Sequence, residues 1–243
     1  RLLQSADVVL HDDLVSPEIL REVSPSAQLR NVGKRSGKKA TSQQEINFLM
    51  IALAGSGLQV VRLKSGDPMI FGRLAEEIDA LRRAGIDFEI VPGVTAAFGA
   101  AASAQIALTD RRISPALVLL AGHRASENHE EDWRKFVSSG ATLVIYMPGH
   151  DYTQIATRLQ NAGLRAATPC AIISRATTPH EKSLTTTVGD LPRASLLPAP
   201  ALLVVGTTVG VAQPQALDPS ALWDLAGLQP VSGPPAENRE PRL

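Results

Sequence analysis

Short apolar runs alternate with amphipathic stretches along the N-terminal part of the chain, and this alternation constrains the fold more than any other feature. The runs are "ADVVLHD" (6–12), "AQLRNVG" (27–33), "LQVVRLKSG" (58–66) and "FEIVPG" (88–93). The stretches between them have helical patterns, and one begins where Ser42 and Glu45 form a capping-box signature. Strands that alternate with helices predict an α/β fold with a parallel sheet and right-handed crossovers. Because the runs are apolar, we expect this sheet to be covered on both faces.

The pattern changes beyond residue 113, where the sequence predicts a second, mixed sheet. Its strands are expected at "ALVLLAGH" (116–123), "TLVIYMPG" (142–149), "PCAIISRAT" (169–177), "SLTTTVGDL" (183–191) and "ALLVVG" (201–206). The last strands follow one another with little chain between them, which favours antiparallel pairs. We therefore expect an N-terminal α/β domain at 1–113, a C-terminal α/β domain at 114–212 and a flexible, proline-rich tail at 213–243.

The composition excludes several classes of protein. Among the 243 residues, 24 Lys and Arg balance 24 Asp and Glu, so the chain has no general attraction to nucleic acid or to a membrane surface. Cys170 is the only cysteine, which excludes an intramolecular disulfide and a cysteine zinc cage and fits a reducing compartment such as the cytoplasm. No apolar run approaches the roughly 18 residues of a membrane span. The five histidines have no metal-ligand spacing, and we expect no metal site.

Unusual residues gather where the predicted strands of the first domain end. Asp12 closes the first run, "GK" (33–34) the second, "GDP" (66–68) the third and "PGVT" (92–95) the fourth. The carboxyl ends of parallel strands share one edge, and open α/β sheets bind their ligands there. Glycine lets the backbone approach a ligand closely, and Thr95 is a candidate cap for the following helix. The sequence therefore predicts a single ligand-binding rim formed by four turns.

Each of these turns also has a purely structural interpretation. A lone Gly-Asp-Pro is an ordinary turn, Asp12 at a strand end is a common turn or cap residue, and the basic stretch 30–39 is typical of a solvated surface. The binding interpretation is favoured because all four turns are predicted on one edge. The segment "GKRSGKK" (33–39) lacks the glycine spacing of a phosphate loop, and no nucleophile elbow is present.

The segments, in this order, resemble the tetrapyrrole methylases. The matching segments are "ADVVLHDDLVS" (6–16), "VGKRSG" (32–37), "QQEIN" (43–47), "RLKSGDPMIFGR" (62–73), "EIVPGVTAA" (89–97), "ALTDR" (107–111), "AGH" (121–123), "YM" (146–147) and "PALLVVG" (200–206). The resemblance implies a fold of two α/β domains, a homodimer and an S-adenosylmethionine molecule folded into the cleft between the domains.

The resemblance also implies roles for individual residues. Asp12 takes the family's proton-acceptor position and Lys34 its proton-donor position. The implied cofactor contacts are Ser65, Gly66, Asp67, Ile70, Thr95, Ala96, Met147, Ala176 and Ala201. The substrate of this branch carries acetate and propionate groups, for which arginine and lysine are suitable partners. The candidate substrate-binding residues are Arg30, Arg35, Lys38 and Arg111, with Arg112 beside them.

The implied reaction is S-adenosylmethionine-dependent methylation of uroporphyrinogen III at C2 and C7, which gives precorrin-2 for sirohaem and cobalamin biosynthesis. One alternative is methylation of a later precorrin at another carbon. A second is a non-catalytic, methylase-like binding protein. An RNA-directed methyltransferase of the same fold is disfavoured by the neutral charge and by an aromatic content of 4%.

The chain departs from the family pattern at three places. "KSGDP" (64–68) stands where the family usually has K-G-G-D-P, and Pro148 follows Met147 where the family usually has glycine. The family's opening strand with its G-x-G-P-G-D-P loop is absent from this sequence. We therefore expect a sequence truncated at its N-terminus, which in isolation is unstable or inactive.

Overall fold

The computed structural model describes residues 1–33, 41–122, 130–149 and 151–211. Several predictions fall outside these ranges, namely those on Lys34, Arg35, Lys38 and the tail 213–243. None of the described helices combines the length and apolar character that a bilayer span requires.

The first part of the chain forms a parallel sheet with helices between its strands. Its elements are α1 (Leu2–Ser5), β1 (Val8–His11), α2 (Pro17–Leu20), β2 (Gln28–Asn31), α3 (Gln43–Gly55), β3 (Val60–Leu63), α4 (Leu74–Arg83) and α5 (Ala96–Ser103). Among the described strands, β1 lies in the middle and pairs in parallel with β2 on one side and β3 on the other. The capping box predicted at the start of α3 is confirmed, since the Glu45 backbone N–H donates to Ser42 Oγ and the Ser42 N–H donates to the Glu45 carboxylate.

The predicted fourth strand of this sheet is wrong. Residues 88–93 form no strand, and their side chains are exposed. A strand needs a neighbour for its backbone groups, and none of the described strands pairs with this segment. The expectation of a sheet covered on both faces holds only for β1, because β2 is exposed along its length and β3 is half-buried.

The second part of the chain forms the predicted mixed sheet. Its elements are β4 (Leu117–Ala121), α6 (Glu130–Ser138), β5 (Thr142–Tyr146), α7 (Tyr152–Asn161), β6 (Pro169–Ser174), β7 (Lys182–Thr187), β8 (Ala201–Val205) and the 3₁₀ turns Leu191–Arg193 and Thr207–Val211. The order of the described strands is β4-β5-β8-β6-β7, with β4 and β5 parallel and the other neighbours antiparallel.

Both faces of the second sheet are packed. Alternate residues of its central strands, such as Ile145 and Leu203, pack with α6 and α7 on one face. The intervening residues, such as Val144 and Val204, pack with Ala97 of α5 on the other. Helix α5 thus joins the end of the first part of the chain to the second sheet. The domain boundary that we propose at 113/114 follows this helix.

Candidate functional site

Asp67 joins two of the predicted turns. Its carboxylate accepts the Met69 N–H (2.8 Å) within its own loop and the Gly93 N–H (3.0 Å) of the turn before α5. Gly66 has a φ of 71°, a conformation that favours glycine. A Cβ at Gly93 would lie 2.3 Å from the Gly66 carbonyl oxygen, so any side chain there would force the turns apart. The aspartate of Gly-Asp-Pro therefore fastens a second loop, which the turn alone did not indicate.

The beginning of α5 lies beside this loop. A Cβ at Gly66 would be 3.4 Å from the Ala96 nitrogen and 3.8 Å from Thr95 Cα. Thr95 does not cap α5 with its side chain, contrary to our expectation. The cap is instead the Tyr146 hydroxyl, which accepts the Ala97 N–H at 3.0 Å and lies 2.5 Å from Thr95 Oγ1. Strand β5 of the second sheet thus completes the N-terminus of a helix from the first part of the chain.

Strained backbone conformations cluster on the loops of this region. Positive φ angles at residues other than glycine are rare and concentrate at functional sites. In the described residues they follow β3, β5 and β6, at Phe71, Arg73, Met147, Arg175 and Thr177, and one further case is Gln105 at the end of α5. The Phe71 and Tyr146 rings lie 4.8 Å apart, which connects the loops after β3 and β5.

The other predicted cofactor residues surround the same place. Ile70 and Ala176 pack against the apolar cluster that contains Ala97 and Tyr146. Ala201 pairs with Ser174 immediately before the loop of Ala176, and Ser65 directly precedes Gly66. A Cβ at Gly122 would lie 2.6 Å from the Met147 carbonyl oxygen, so the two loops approach each other closely at this glycine. The loops and the first turn of α5 also expose large apolar side chains, which a ligand or a partner would cover: Met69, Phe71, Val94, Phe98 and Met147.

Asp12 belongs to a partly buried ionic cluster that the sequence did not predict. Arg62 on β3 donates through Nη2 to Asp12 Oδ1 and through Nε to Glu77 Oε1 (3.1 Å). Lys64, on the same face of β3, donates to both Glu77 oxygens (3.1 Å each) and lies 3.9 Å from Asp12 Oδ2. Gln43 donates to Glu77 as well (3.1 Å). Two carboxylates and two cations are thus held together beside the end of β1.

Glu77 had a signal in the sequence. In "LAEEIDALRR" the apolar positions 74, 78 and 81 define one face of α4, and Glu77 lies on that face. Its side chain is 1% exposed. Burial of a carboxylate is unfavourable unless cations and hydrogen bonds compensate it, and Arg62 and Lys64 supply both. A charged residue at a core position is a signal for a buried ionic partner, but the sequence alone does not identify Arg62 and Lys64 as the partners of Glu77.

The candidate substrate residues are less closely gathered. Arg30 is exposed on β2 and bonds to Gln28 of the same strand (3.1 Å), and Arg111 is exposed after α5. Arg112 forms a bidentate pair with Asp110, and this hydrogen-bonded guanidinium lowers the pKa of the Asp110 carboxyl to about 2. The charge of Arg112 is therefore already compensated. Within the described ranges, no hydrogen bond or ion pair joins Arg30 or Arg111 to Asp12 or Asp67.

The entry to the basic loop lies next to Asp12. Asn31 Nδ2 donates to Asp13 Oδ1 (2.7 Å), and the Gly33 N–H donates to Asn31 Oδ1 (2.8 Å). A Cβ at Gly33 would stand 2.5 Å from the Asp13 nitrogen. Lys34, the proposed proton donor, is the next residue and lies outside the described part of the chain.

Comparisons with known proteins agree with this architecture. Residues 1–192 match the family model of the tetrapyrrole (corrin/porphyrin) methylases. A siroheme synthase of Neisseria meningitidis serogroup B is 45% identical over 210 residues, which cover 86% of this chain and 44% of that protein. The chain thus spans less than half the length of this relative.

Two solved structures have the same fold. The uroporphyrin-III C-methyltransferase of Thermus thermophilus in complex with S-adenosyl homocysteine superposes with a TM-score of 0.73 at 32% identity, covering 87% of this chain and 90% of that one. A cobalt precorrin-4 methyltransferase superposes with a TM-score of 0.72 at 30% identity, covering 88% and 87%. The fold is the two-domain α/β fold of these methylases. The chain belongs to the tetrapyrrole methylase family.

Proposed function

We propose that this chain transfers methyl groups from S-adenosylmethionine to C2 and C7 of uroporphyrinogen III, giving precorrin-2. The observation that carries the proposal is the arrangement of side chains and loops at the end of β3. Its charged residues, Arg62 and Lys64, hold Asp12, and the next three residues, 65–67, begin the loop that contacts the turn before α5. A candidate proton acceptor and a candidate cofactor loop therefore adjoin at one strand end. The similarity to a siroheme synthase and to a solved uroporphyrin-III C-methyltransferase supports the choice of substrate.

The rim suits an S-adenosyl group. An adenosine has an apolar face and a hydrogen-bonding edge, and the rim offers apolar side chains at Val94, Phe98 and Met147 beside the polar groups of Ser65 and Thr95. S-adenosylmethionine supplies a methyl group that the sulfonium already makes electrophilic. The protein's contribution is then to align the donor with the nucleophilic carbon. We assign the cofactor contacts to Ser65, Gly66, Asp67, Ile70, Thr95, Ala96, Met147, Ala176 and Ala201.

Asp12 is assigned the removal of a proton from the ring system after methylation. A carboxylate that is held within hydrogen-bonding distance of that proton can accept or relay the proton. Arg62 keeps Asp12 fixed at the end of β1, and Glu77 in turn orients Arg62 and Lys64. Lys34 is assigned the role of proton donor. The binding of the substrate carboxylates is assigned to Arg30, Arg35, Lys38 and Arg111. All these roles are proposals.

Two alternatives have specific support. The similarity to a cobalt precorrin-4 methyltransferase favours a later precorrin as substrate. The Arg62 contact favours a binding protein, since the Asp12 carboxylate is already engaged by a guanidinium. We propose further that the chain acts in the cytoplasm as a homodimer.

The test is an assay with ¹³C-methyl-labelled S-adenosylmethionine and uroporphyrinogen III or a later precorrin as acceptor. We expect two labelled methyl groups on uroporphyrinogen III, assigned to C2 and C7 by NMR. Labelling of the later precorrin alone would replace the substrate assignment. Binding of S-adenosylhomocysteine without transfer to any acceptor would favour the binding-protein alternative.

A further inference from the structure

Helix α5 begins with a threonine that does not perform the usual function of its position. Thr95 has the extended backbone of an N-cap (φ −62°, ψ 147°), and a threonine there normally accepts an N–H from the first turn with its side chain. The Ala97 N–H instead donates to the Tyr146 hydroxyl from strand β5 (3.0 Å). The cap of α5 therefore comes from another part of the chain, and Thr95 Oγ1 does not accept an N–H of the first turn.

Either hydroxyl of the pair Thr95 and Tyr146 could donate to the other, and the chemistry of the two groups favours one direction. Tyr146 Oη accepts the Ala97 N–H and has one proton of its own to donate. Both side chains are buried, where a hydroxyl without a partner is unfavourable, and Thr95 Oγ1 lies 2.5 Å from Oη. Because a phenol is a better donor than an aliphatic alcohol, donation from Tyr146 to Thr95 is the favoured direction. The Thr95 hydroxyl then accepts from Tyr146 and keeps its own proton available for another group.

That proton is available next to the proposed cofactor loop. Thr95 Cα lies 3.8 Å from the position of a Gly66 Cβ, and the Gly93 N–H two residues earlier is fixed by Asp67. The ring of Tyr146 also contacts Phe71 on the same loop, and Met147 follows it directly. Tyr146 thus connects three of the elements that surround the proposed site.

We propose that Tyr146 is a positioning residue, whose hydroxyl takes over the cap of α5 and sets Thr95 Oγ1 as a hydrogen-bond donor to the bound S-adenosyl group. This inference rests on the proposed cofactor. Tyr146 lies in the segment "YM" (146–147) that resembles the family, and the resemblance implies no role for it.

The chain offers a matched control, because its two tyrosines are both buried. Tyr146→Phe removes the hydroxyl and retains the ring that contacts Phe71. Tyr152→Phe also removes a buried hydroxyl, from a residue that packs in the cluster on the other face of the second sheet, away from the proposed site. By calorimetric titration of the full chain with S-adenosylhomocysteine, we expect Tyr146→Phe to raise Kd about tenfold and Tyr152→Phe less than about twofold. An equal change in both variants, or no change in Tyr146→Phe, would overturn the inference.

A double-mutant cycle separates positioning from a general loss of stability. Thr95→Val should raise Kd by a factor similar to that of Tyr146→Phe, while Thr95→Ser, which keeps a hydroxyl, should stay close to the unsubstituted chain. In Tyr146→Phe we expect Thr95 to turn back and cap Ala97, so Thr95→Val should then weaken binding by less than about twofold more. Multiplication of the two single effects would contradict the proposal.

The remaining outcomes are also decisive. If Tyr146→Phe does not fold, Thr95→Val alone is informative, since an unchanged Kd in that variant rejects the donor role. If the unsubstituted chain binds no S-adenosylhomocysteine, the proposed function fails and this inference with it. If that chain binds and all variants bind equally well, only the inference fails.

Discussion

Both sheets bury apolar side chains, but among the described residues only the first also packs against a buried carboxylate. Beside the first sheet, Arg62 of β3 and Lys64 directly after it face the buried carboxylate of Glu77 and the partly buried one of Asp12. The central strands of the second sheet bury aliphatic residues such as Ile145, Ile172 and Leu203. Buried charges contribute little net stability but fix geometry, whereas apolar burial contributes most of the stability. The comparison indicates that the second sheet supports the fold, and it agrees with our proposal that the first sheet positions the groups that act in the reaction.

The largest effect should come from Asp12→Asn. If Asp12 accepts the proton, this variant should lower kcat for methyl transfer by about 10²–10⁴-fold and leave the Kd of S-adenosylhomocysteine unchanged. The control is Asp7→Asn, which changes the opposite end of the same strand, where Asp7 accepts the Gln59 N–H. Equal losses in the two variants would mean that the carboxyl end of β1 has no special role.

The second prediction compares neighbouring glutamates on α4. Glu77→Gln removes the charge that compensates Arg62 and Lys64 and should lower the free energy of unfolding by about 3–5 kcal/mol. Glu76→Gln breaks only the exposed pair with Arg73, and its effect should stay below about 1 kcal/mol. Urea unfolding measures both values, and similar values would show that Glu77 is not a buried charge.

The third prediction compares leucines on strands of the two sheets. Leu203→Ala leaves a cavity in the fully buried β8 and should cost about 2–5 kcal/mol of unfolding free energy. Leu29→Ala on the exposed strand β2 should change it by less than about 0.5 kcal/mol. A large loss from Leu29→Ala would reveal that β2 is covered in the folded protein.

The smallest effect concerns the pair formed by the half-buried Asp110 and the exposed Arg112. Because the folded-state pKa of Asp110 is lowered from 3.8 to about 2 by the Arg112 guanidinium, the pair stabilises the fold above pH 3.8. That contribution is lost as the pH falls from 3.8 toward 2. The difference in urea midpoint between the unsubstituted chain and Asp110→Asn should therefore shrink over this range, and a constant difference would reject the pairing.

Much of the fold follows from sequence patterns. Strand and helix alternation, the Ser42–Glu45 cap and the mixed second sheet are local or periodic signals, and the structure confirms them. The segment 88–93 has the composition of a strand, but strand formation depends on a neighbour that composition does not reveal. The capping role expected of Thr95 failed for a related reason, because Tyr146 lies far away in the sequence.

The site was predictable only in part. The strand-end argument holds for Asp12 and Gly66, which follow the paired parallel strands β1 and β3. The turn at 92–95 does lie beside Gly66 and Asp67, but no strand precedes it, so the reason for which it was expected there is wrong. The partners of Asp12 could not be inferred, since Arg62 and Lys64 resemble ordinary solvated residues until α4 packs Glu77 against them. Long-range ionic contacts have no spacing signature in a single sequence.

The central claim is that loops distant in the sequence form one S-adenosyl pocket, and the three methionines of the chain allow a direct test. Met69 (59% exposed) follows β3, Met147 (46%) follows β5, and Met50 (4%) lies in the core of the first sheet. In a titration of ¹³C-methyl-methionine-labelled protein with S-adenosylhomocysteine, we expect the NMR signals of Met69 and Met147 to shift together with one Kd while Met50 stays in place. A shift of only one of the two exposed methionines, or of Met50 alone, would contradict the account.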